Sequence, residues 1–228
     1  FCEAVYEGTA TVEGVTAERI YTAKKQAVEE VLQRGRIPLL VDPDGRSIEV
    51  LKPDVVVDAI IAKKNLGTYK EMAPLVIGIG PGFVAGKDVH LVVESMRGHN
   101  LARILETGSA LANTGIPGNI GGYTKERVIH AVAEGYMKNL HQIGDVVQKG
   151  EEIARIYEQM SPEGVFSGRF VSVEATIPGV LRGLIREGYH FQKGFKIADI
   201  DPRESELANC FTISDKASSI GGSVLEAV

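Results

Sequence analysis

Two stretches of the chain match each other at a constant offset of 44 residues. The segment 130–156 reads HAVAEGYMKNLHQIGDVVQKGEEIARI, and it aligns without a gap with the segment 174–200, EATIPGVLRGLIREGYHFQKGFKIADI. A match of this length predicts two similar supersecondary units that pack as a pair. Glycines recur at turn positions between short alternating apolar segments, which is typical of strands. Residues 125–205 are therefore predicted to form a small all-β domain.

The two repeats resemble the half-motifs of the lipoyl and biotinyl barrel-sandwich fold. Carriers of that fold present a modified lysine on the hairpin between the two halves. The segment between Ile156 and Glu174 reads YEQMSPEGVFSGRFVSV and contains no lysine. The expected domain is barrel-sandwich-like, without carrier chemistry.

Residues 1–107 are predicted to form a partial Rossmann-like α/β layer. Apolar residues at helical spacing predict a helix over 17–35, and Gly35 is a sensible end for it. Three short runs rich in Val, Ile and Leu predict strands buried on both faces: Ile37–Val41, Val55–Val57 and Leu75–Ile79. The segment DAIIAKKN (58–65) is interpreted as a loop that enters a helix. The opening FCEAVYEG is typical of an interior segment, so we expect further N-terminal residues that continue this layer.

Glycine-rich residues 108–124 are predicted to be an ordered loop that connects the two domains, with Ile116 and Ile120 as anchors. A plain linker is the alternative interpretation. If the loop lines a cleft, the candidate ligand-binding residues in it are Asn113, Thr114 and Gly115.

Residues 206–228 are predicted to end in a helix that packs back on the α/β domain. Ser214 or Asp215 is the predicted N-cap, because both residue types accept a hydrogen bond from the first turn. The predicted apolar face of the helix consists of Ile220, Val224 and Leu225.

Residues 78–99, GIGPGFVAGKDVHLVVESMRGH, concentrate glycines and ionisable side chains. The loop that starts with Gly80 and Gly82 satisfies G-x-G-x-x-G/A after an apolar strand, which is the dinucleotide-binding pattern. That mechanism requires a helix to begin on the loop, whereas residues 88–95 are better interpreted as a strand. The short spacing between Ile79 and Val89 therefore predicts a hairpin.

Asp88, His90 and Glu94 share one polar face of such a strand. They are candidates for acid–base chemistry or ligand binding, and an ordinary solvated strand face is the alternative. Arg97 and His99 flank a turn glycine and could receive an anionic group. An ion pair between Arg97 and Glu94 is the alternative there. Catalytic residues are not assigned, and no metal site is predicted.

Composition argues against several classes of protein. The net charge of −5 gives no support to nucleic-acid binding. No apolar run approaches the roughly 18 residues of a membrane span. Two cysteines, Cys2 and Cys210, cannot form a disulfide framework and suit a reducing cytosol, so a cytoplasmic location is expected. Cys210 is interpreted as a buried structural thiol, with a reactive thiol as the alternative.

The resemblance of the chain to a known family rests on three long segments. They read APLVIGIGPGFVAGKDVHLVVESMRGHNLARIL, NTGIPGNIGGYT and CFTISDKASSIGGSVLEA. In these blocks, and over essentially its whole length, the chain resembles the YqeB family of selenium-dependent molybdenum hydroxylase system proteins. The matching positions include Cys210, Asp215 and Lys216 besides the candidate residues above. The resemblance implies further N-terminal residues with a Rossmann-like strand, loop and helix.

The resemblance implies a cytosolic accessory protein in the maturation of a molybdenum hydroxylase whose active site carries selenium. We expect it to bind a nucleotide- or pterin-like anionic ligand, such as a dinucleotide or a molybdopterin-related compound, between its two halves. Its expected partners are the hydroxylase or the maturation proteins of that enzyme, and homo-oligomerisation stays open. An NAD(P)-dependent oxidoreductase that uses the absent Rossmann-like segment and a protein-interaction module are the alternatives, so enzymatic activity also stays open.

Overall fold

A computed structural model describes residues 1–115 and 117–228. These residues divide into two units, of which the first comprises Phe1–Thr114 and Thr212–Val228 and the second Gly115–Phe211. The architecture is mixed α/β, with several sheets and a C-terminal helix. None of the helices in the described residues combines the length and the apolar character needed to cross a membrane.

A short helix and a three-stranded sheet open the first unit. The elements are α1 (Ala4–Glu7), β1 (Thr9–Val12), β2 (Val15–Ile20), α2 (Lys25–Gln33) and β3 (Ile37–Leu40). β1 and β2 form an antiparallel hairpin, whereas β2 and β3 run parallel and are joined through α2. The predicted helix over 17–35 is therefore wrong over its first part, which lies in β2. Ile20 stands at helical spacing from the apolar residues of α2 although it belongs to a different element.

The second sheet of this unit positions the candidate site. Its strands, in spatial order, are β4 (Val55–Asp58), β5 (Leu75–Ile79), β6 (Leu91–Val93) and β7 (Ile104–Leu105). β4, β5 and β6 are parallel, and β7 is antiparallel to β6. The strands predicted at 37–41, 55–57 and 75–79 are confirmed as strands, but only β5 is buried along its length; Ile37 is 45% exposed and Val57 is 39% exposed, so burial on both faces was wrong for β3 and β4. The predicted hairpin after Ile79 is wrong, because β5 and β6 run in the same direction.

A packed loop connects β5 to β6 in place of the usual crossover helix. Phe83, Ala85 and Val89 lie in this loop and are buried against the sheet together with Val76. Ala85 also bridges to Val89 and to Gly108. Parallel strands normally need a longer crossover of a dozen or more residues, usually a helix. Here the apolar side chains of the loop itself cover that face of the sheet.

Two segments that precede strands differ from the sequence-based expectation. Helix α3 (Arg46–Leu51) precedes β4 and was not predicted. The segment 58–65 enters no α-helix, and a single 3-10 turn, Lys70–Met72, precedes β5. The left-handed backbone of Gly45 and Lys52 bounds α3 at its two ends, with φ values of 67° and 49°.

The predicted C-terminal helix is confirmed as α4 (Asp215–Ala227). Ser214 is its N-cap, and the Oγ atom accepts a hydrogen bond from the Ala217 amide at 3.2 Å. Ile220 and Val224 pack against the side of the sheet opposite the loop, on a cluster that includes Ile77, Ile79 and Val93. The prediction for Leu225 is wrong, because this side chain is 78% exposed.

The second unit consists of two four-stranded antiparallel sheets. Its strands are β8 (Val128–His130), β9 (Gly135–Asn139), β10 (Val146–Val147), β11 (Glu152–Met160), β12 (Phe166–Glu174), β13 (Gly179–Leu184), β14 (His190–Phe191) and β15 (Lys196–Asp201). One sheet has the order β10-β13-β15-β8 and the other the order β12-β11-β9-β14. Both sheets contribute to one buried core.

The sequence repeat explains how these two sheets are built. β9, β10 and β11 of the first repeat correspond to β13, β14 and β15 of the second at the offset of 44. Each short strand pairs with a strand of the other repeat. β10 of the first repeat pairs with β13 of the second, and β14 of the second repeat pairs with β9 of the first. Gly135 and Gly179 are equivalent positions, and a Cβ atom at either one would overlap a carbonyl oxygen, that of Tyr157 or of Asp201. Those two partners are themselves 44 residues apart.

Candidate functional site

The parallel strands β4, β5 and β6 end at the same edge of their sheet. Asp58 is the last residue of β4, Gly80 follows β5, and Glu94 and Ser95 follow β6. In open α/β sheets, ligands bind outside the carboxyl ends of the strands. This carboxyl edge is therefore the candidate site of the first unit.

The glycines at this edge are required by close packing. A Cβ atom at Gly78 would lie 2.5 Å from the Phe83 ring, and one at Gly82 would lie 2.6 Å from Cα of Lys64. A Cβ atom at Gly80 would overlap the Ser95 hydroxyl, and the φ of Gly80 is +80°. The loop is thus packed against its own unit, and no helix begins on it to aim amides at a pyrophosphate. It does not fit a dinucleotide.

Asp88 and His90 stabilise the same loop. The Oδ2 atom of Asp88 accepts a hydrogen bond from the Val84 amide at 3.0 Å. Nδ1 of His90 accepts one from the Val76 amide at 2.9 Å. The shared polar strand face predicted for Asp88, His90 and Glu94 does not form, because β6 spans only Leu91–Val93 and contains none of the three; the alternative of an ordinary solvated face fails for Glu94, which is buried.

Glu94 is 3% exposed and holds two turns together. The Oε1 atom accepts a hydrogen bond from the Met96 amide, and Oε2 accepts one from the Leu111 amide, both at 2.7 Å. Each carboxylate oxygen therefore satisfies a backbone donor. This geometry assigns Glu94 a structural task at the edge.

Arg97 points to the first turn of α4. Its guanidinium donates to both carboxylate oxygens of Asp215, at 2.6 and 2.8 Å. The partner of Arg97 is thus Asp215, 118 residues away in the sequence, in place of the alternative partner Glu94. An acidic side chain in the first turn also interacts favourably with the helix dipole.

Lys216 follows Asp215 and is half-buried at the same place. Burial lowers its pKa, and the positive charges of Arg97 and Lys63 lower it further, whereas Glu94 opposes the shift. Within the described residues, the ammonium group has no hydrogen bond or ion pair. Three cations therefore approach one another at the carboxyl edge, and Glu94 is the carboxylate that partly offsets their charge at Lys216.

The segment that brings Lys63 to the edge has an unusual backbone. Ile61 and Lys63 have φ values of 58° and 62°, which side chains other than glycine rarely adopt. Asp58 holds the segment in place, because its carboxylate accepts from the Ile60 amide at 3.0 Å and from Thr68 Oγ1 at 2.6 Å. Strained backbone of this kind costs free energy and is concentrated at functional sites.

Ser95 completes the edge. It is 7% exposed, and its hydroxyl lies against Gly80. Within the part of the chain that the structure describes, this hydroxyl has no hydrogen-bond partner. Among the described residues, the buried side-chain atoms without a hydrogen-bond partner are Arg19 Nε and Asn139 Oδ1, so Ser95 is not a buried unsatisfied donor.

The remaining predicted site residues are exposed. His99 lies in the turn after Gly98, and Asn113, Thr114 and Gly115 lie in the connecting loop. The predicted anchor Ile116 lies outside the described residues. Ile120 is half-buried and exchanges two backbone hydrogen bonds with Tyr123, at 2.9 and 3.0 Å.

The described residues contain no group of three or more His, Cys, Asp or Glu side chains arranged to hold a metal ion. Burial raises the pKa of the Cys210 thiol, which disfavours the reactive thiolate. Cys2 is exposed.

Comparison with known proteins gives one strong sequence match. All 228 residues align at 47% identity with the uncharacterized protein YqeB of Escherichia coli strain K12. The likeness supports a YqeB-type protein. The chain spans 39% of the length of YqeB. No protein-family model matches the chain.

Comparison with solved structures gives partial matches. The ectoine utilization protein EutE (DoeB) of Ruegeria pomeroyi, with bound product, has a TM-score of 0.27 at 16% identity, over 43% of this chain and 28% of that one. An aspartoacylase family protein of Mesorhizobium loti has a TM-score of 0.28 at 14% identity, over 46% of this chain and 32% of that one. TM-scores this low do not establish a shared fold, so no chemistry is transferred from either protein.

Four residues of the carboxyl edge escaped the sequence-based prediction of the site: Asp58, Lys63, Ser95 and Lys216. Lys216 was included only as a matching position of the family resemblance. A correct prediction that β4, β5 and β6 run parallel would have found Asp58 and Ser95, because both stand where a strand ends.

Proposed function

We propose that the chain is an accessory protein in the maturation of a selenium-dependent molybdenum hydroxylase. In this role it binds a nucleotide- or pterin-like anionic ligand at the carboxyl edge of β4, β5 and β6. The observation that carries the binding proposal is Lys216, a half-buried ammonium beside two further cations and without a partner among the described residues.

The charges at the edge favour an anion. Lys216 is held near Arg97 and Lys63 although like charges repel, and the chain as a whole carries a net charge of −5. Arg97 is already engaged by Asp215. An anionic group beside Lys216 would offset the repulsion and accept a hydrogen bond from the ammonium.

The pattern of the family resemblance also supports this location. One block supplies Gly80, Ser95 and Arg97, and another supplies Asp215 and Lys216. The Arg97–Asp215 pair joins these two blocks directly. Residues that identify the family therefore meet at the proposed anion site.

The arrangement of the strands supports a finer description of the fold of each unit. The parallel order of β4, β5 and β6 supports a Rossmann-like first unit. The paired repeats and their exchanged short strands support a barrel-sandwich-like second unit. We infer both as descriptions of the family fold.

Titration with pyrophosphate tests the anion site. The expected result is a shift of the Ser95 and Lys216 signals in nuclear magnetic resonance spectra, with binding that Lys216→Gln weakens about tenfold or more. Lys193→Gln, a change of an exposed lysine in a turn of the second unit, serves as the matched control and should bind as the parent does. Because the lowered pKa of Lys216 discharges the ammonium earlier than in an ordinary lysine, binding should weaken as the pH rises toward the ordinary lysine range. Equal binding by the two variants would reject this site.

Co-expression with a selenium-dependent molybdenum hydroxylase tests the cellular role. The expected result is higher hydroxylase activity per bound molybdenum when the unaltered protein is present than when Lys216→Gln replaces it. A hydroxylase that is equally active without the protein would contradict the role. The pyrophosphate titration would still decide separately whether the anion site exists.

A further inference from the structure

Lys216 is one of the half-buried lysines of the chain, and the other two of this kind have partners. The Lys70 ammonium donates to the Gly86 carbonyl oxygen at 3.5 Å, and the Lys138 ammonium pairs with Glu187 at 3.0 Å. Among the described residues, the Lys216 ammonium has no hydrogen bond or ion pair. Partial loss of water without a hydrogen bond in return disfavours the charged form of a lysine.

The place of Lys216 in α4 disfavours the ammonium a second time. Ser214 is the N-cap, so Lys216 lies in the first turn of the helix. The amino end of a helix carries a partial positive charge, which stabilises carboxylates and destabilises cations. Asp215 follows this preference, and Lys216, the next residue, departs from it. The helix backbone therefore adds to the effect of burial.

The charged side chains around Lys216 act mainly in the same direction. Burial lowers the pKa of Lys216, the positive charges of Arg97 and Lys63 lower it further, and Glu94 opposes them. Both carboxylate oxygens of Glu94 already accept from backbone amides, and Asp215 is engaged by Arg97. A larger share of Lys216 is therefore the neutral amine at a given pH than in an exposed lysine.

We propose that Lys216 is a nucleophilic amine that forms an imine with a carbonyl compound carrying an anionic group. Reactive lysines in enzymes are either partly withdrawn from water or placed beside other cations, and Lys216 meets both conditions. The anionic group of the compound meets Lys63, an exposed lysine without an ion pair among the described residues, while the carbonyl carbon meets Nζ of Lys216. This inference rests on the proposed function, because the anion site holds the compound.

Imine formation is balanced without an oxidant or a reductant. The lone pair of the neutral Lys216 amine attacks the carbonyl carbon, and the π electrons of the C=O bond move to the oxygen. A proton passes from the nitrogen to that oxygen and gives a carbinolamine. The carbinolamine then loses its hydroxyl group and the remaining N–H proton as water, which leaves a C=N bond. Addition of water reverses the reaction.

Labelling of the whole chain with pyridoxal 5′-phosphate, trapped by borohydride and mapped by peptide mass spectrometry, tests the proposal. This probe carries an aldehyde and a phosphate. Lys149 and Lys193 are the matched controls, because both are exposed and occupy equivalent turn positions of the two repeats. At neutral pH we expect Lys216 to be labelled about tenfold faster than either control. As the pH rises, its labelling should level off earlier than theirs, because its pKa is lowered.

Two additions separate the amine from the anion site. Pyrophosphate should slow the labelling of Lys216 and leave Lys149 and Lys193 unchanged. Pyridoxal, which has the aldehyde without the phosphate, should label Lys216 more slowly than pyridoxal 5′-phosphate does. Both measurements use the unaltered chain, so a folding defect cannot imitate either result.

Two results would overturn the proposal. The first is labelling of Lys216 no faster than that of Lys149 and Lys193. The second is fast labelling of Lys216 that pyrophosphate does not slow and that pyridoxal matches, because the amine would then react without an anion site. The pyrophosphate titration of the Lys216→Gln variant distinguishes the two failures. Weakened binding in that variant together with slow labelling rejects the imine and keeps the anion site.

Discussion

Asp201 is buried at the end of β15, and we expect Asp201→Asn to destabilise the second unit. The carboxylate is 1% exposed. It accepts hydrogen bonds from the Arg203 guanidinium at 2.8 and 3.0 Å, from Arg182 at 3.0 Å and from the Arg203 amide at 3.1 Å. An asparagine removes the carboxylate from Arg182 and leaves Arg203 with only the longer contact to Glu206, at 3.6 Å, and it turns one acceptor into a donor.

The magnitude follows from the pKa of the carboxyl group. Hydrogen bonds from Arg203, opposed by burial and aided by Arg182, lower the pKa of Asp201 to about 2. Against an unfolded value of about 3.9, this difference corresponds to about 2 to 3 kcal/mol of folding free energy. A lowered carboxyl pKa stabilises the fold above the unfolded value. The contribution of Asp201 is therefore complete above about pH 5 and is lost as the pH falls from about 4 to 2.

Urea unfolding followed by circular dichroism, repeated between neutral and acid pH, measures both features. Asp201→Asn should lose about 2 to 3 kcal/mol at neutral pH, and its stability should converge with that of the parent as the pH approaches 2. Arg203→Met keeps the carboxylate but removes its main partner, so the folded pKa of Asp201 moves back toward the unfolded value, and the acid loss should be smaller and complete at a higher pH. A difference between Asp201→Asn and the parent that stays constant down to the lowest pH would refute the reasoning.

Three further changes test the carboxyl edge and α4 by the free energy of unfolding. Glu94→Gln leaves one of the two backbone amides that meet this buried side chain without its charged acceptor and should cost about 2 kcal/mol; a loss below about 0.5 kcal/mol, the usual surface effect, would contradict the structural role of the carboxylate. Gly82→Ala combines a left-handed backbone with overlap on the Lys64 backbone and should cost about 3 kcal/mol or more. Gly86 also has a positive φ, +81°, but the atom nearest to an added Cβ is 3.8 Å away, so Gly86→Ala should cost about 1 kcal/mol, and equal losses at the two glycines would argue against the overlap. Ser214→Ala removes the N-cap and should cost about 1 kcal/mol, with Ser214→Asp restoring it.

The sequence predicted those features that depend on short-range pattern or on repetition. The offset of 44 identified the equivalent strands of the second unit, since each repeat has to form the same elements. The apolar runs at 55–57 and 75–79 and the capped C-terminal helix were predicted for the same kind of reason. The helix expected over 17–35 failed because periodicity alone does not show where a strand gives way to a helix.

The roles of the ionisable residues could not be predicted, because their partners are distant in sequence. His90 accepts from an amide 14 residues away, and Glu94 from one 17 residues away. The partner of Arg97 is 118 residues away. Each pairing depends on the parallel order of β5 and β6 or on the packing of α4 against the sheet. The sequence alone favoured an antiparallel hairpin after Ile79. A wrong strand direction therefore led to a wrong set of candidate ligand contacts.

Glycine density is a poor guide to ligands in this chain, for a physical reason that applies to both units. Gly78 and Gly82 are needed where a ring or a backbone approaches too closely for a Cβ atom, and Gly135 and Gly179 are needed where a carbonyl oxygen does so. Such glycines mark close packing, and close packing excludes a ligand. A polar atom that the fold buries without satisfying it is a better guide, because its desolvation costs free energy that a ligand can recover. In the first unit the candidate for binding chemistry is therefore Lys216, a partly desolvated ammonium held near Arg97 and Lys63, rather than the glycine loop.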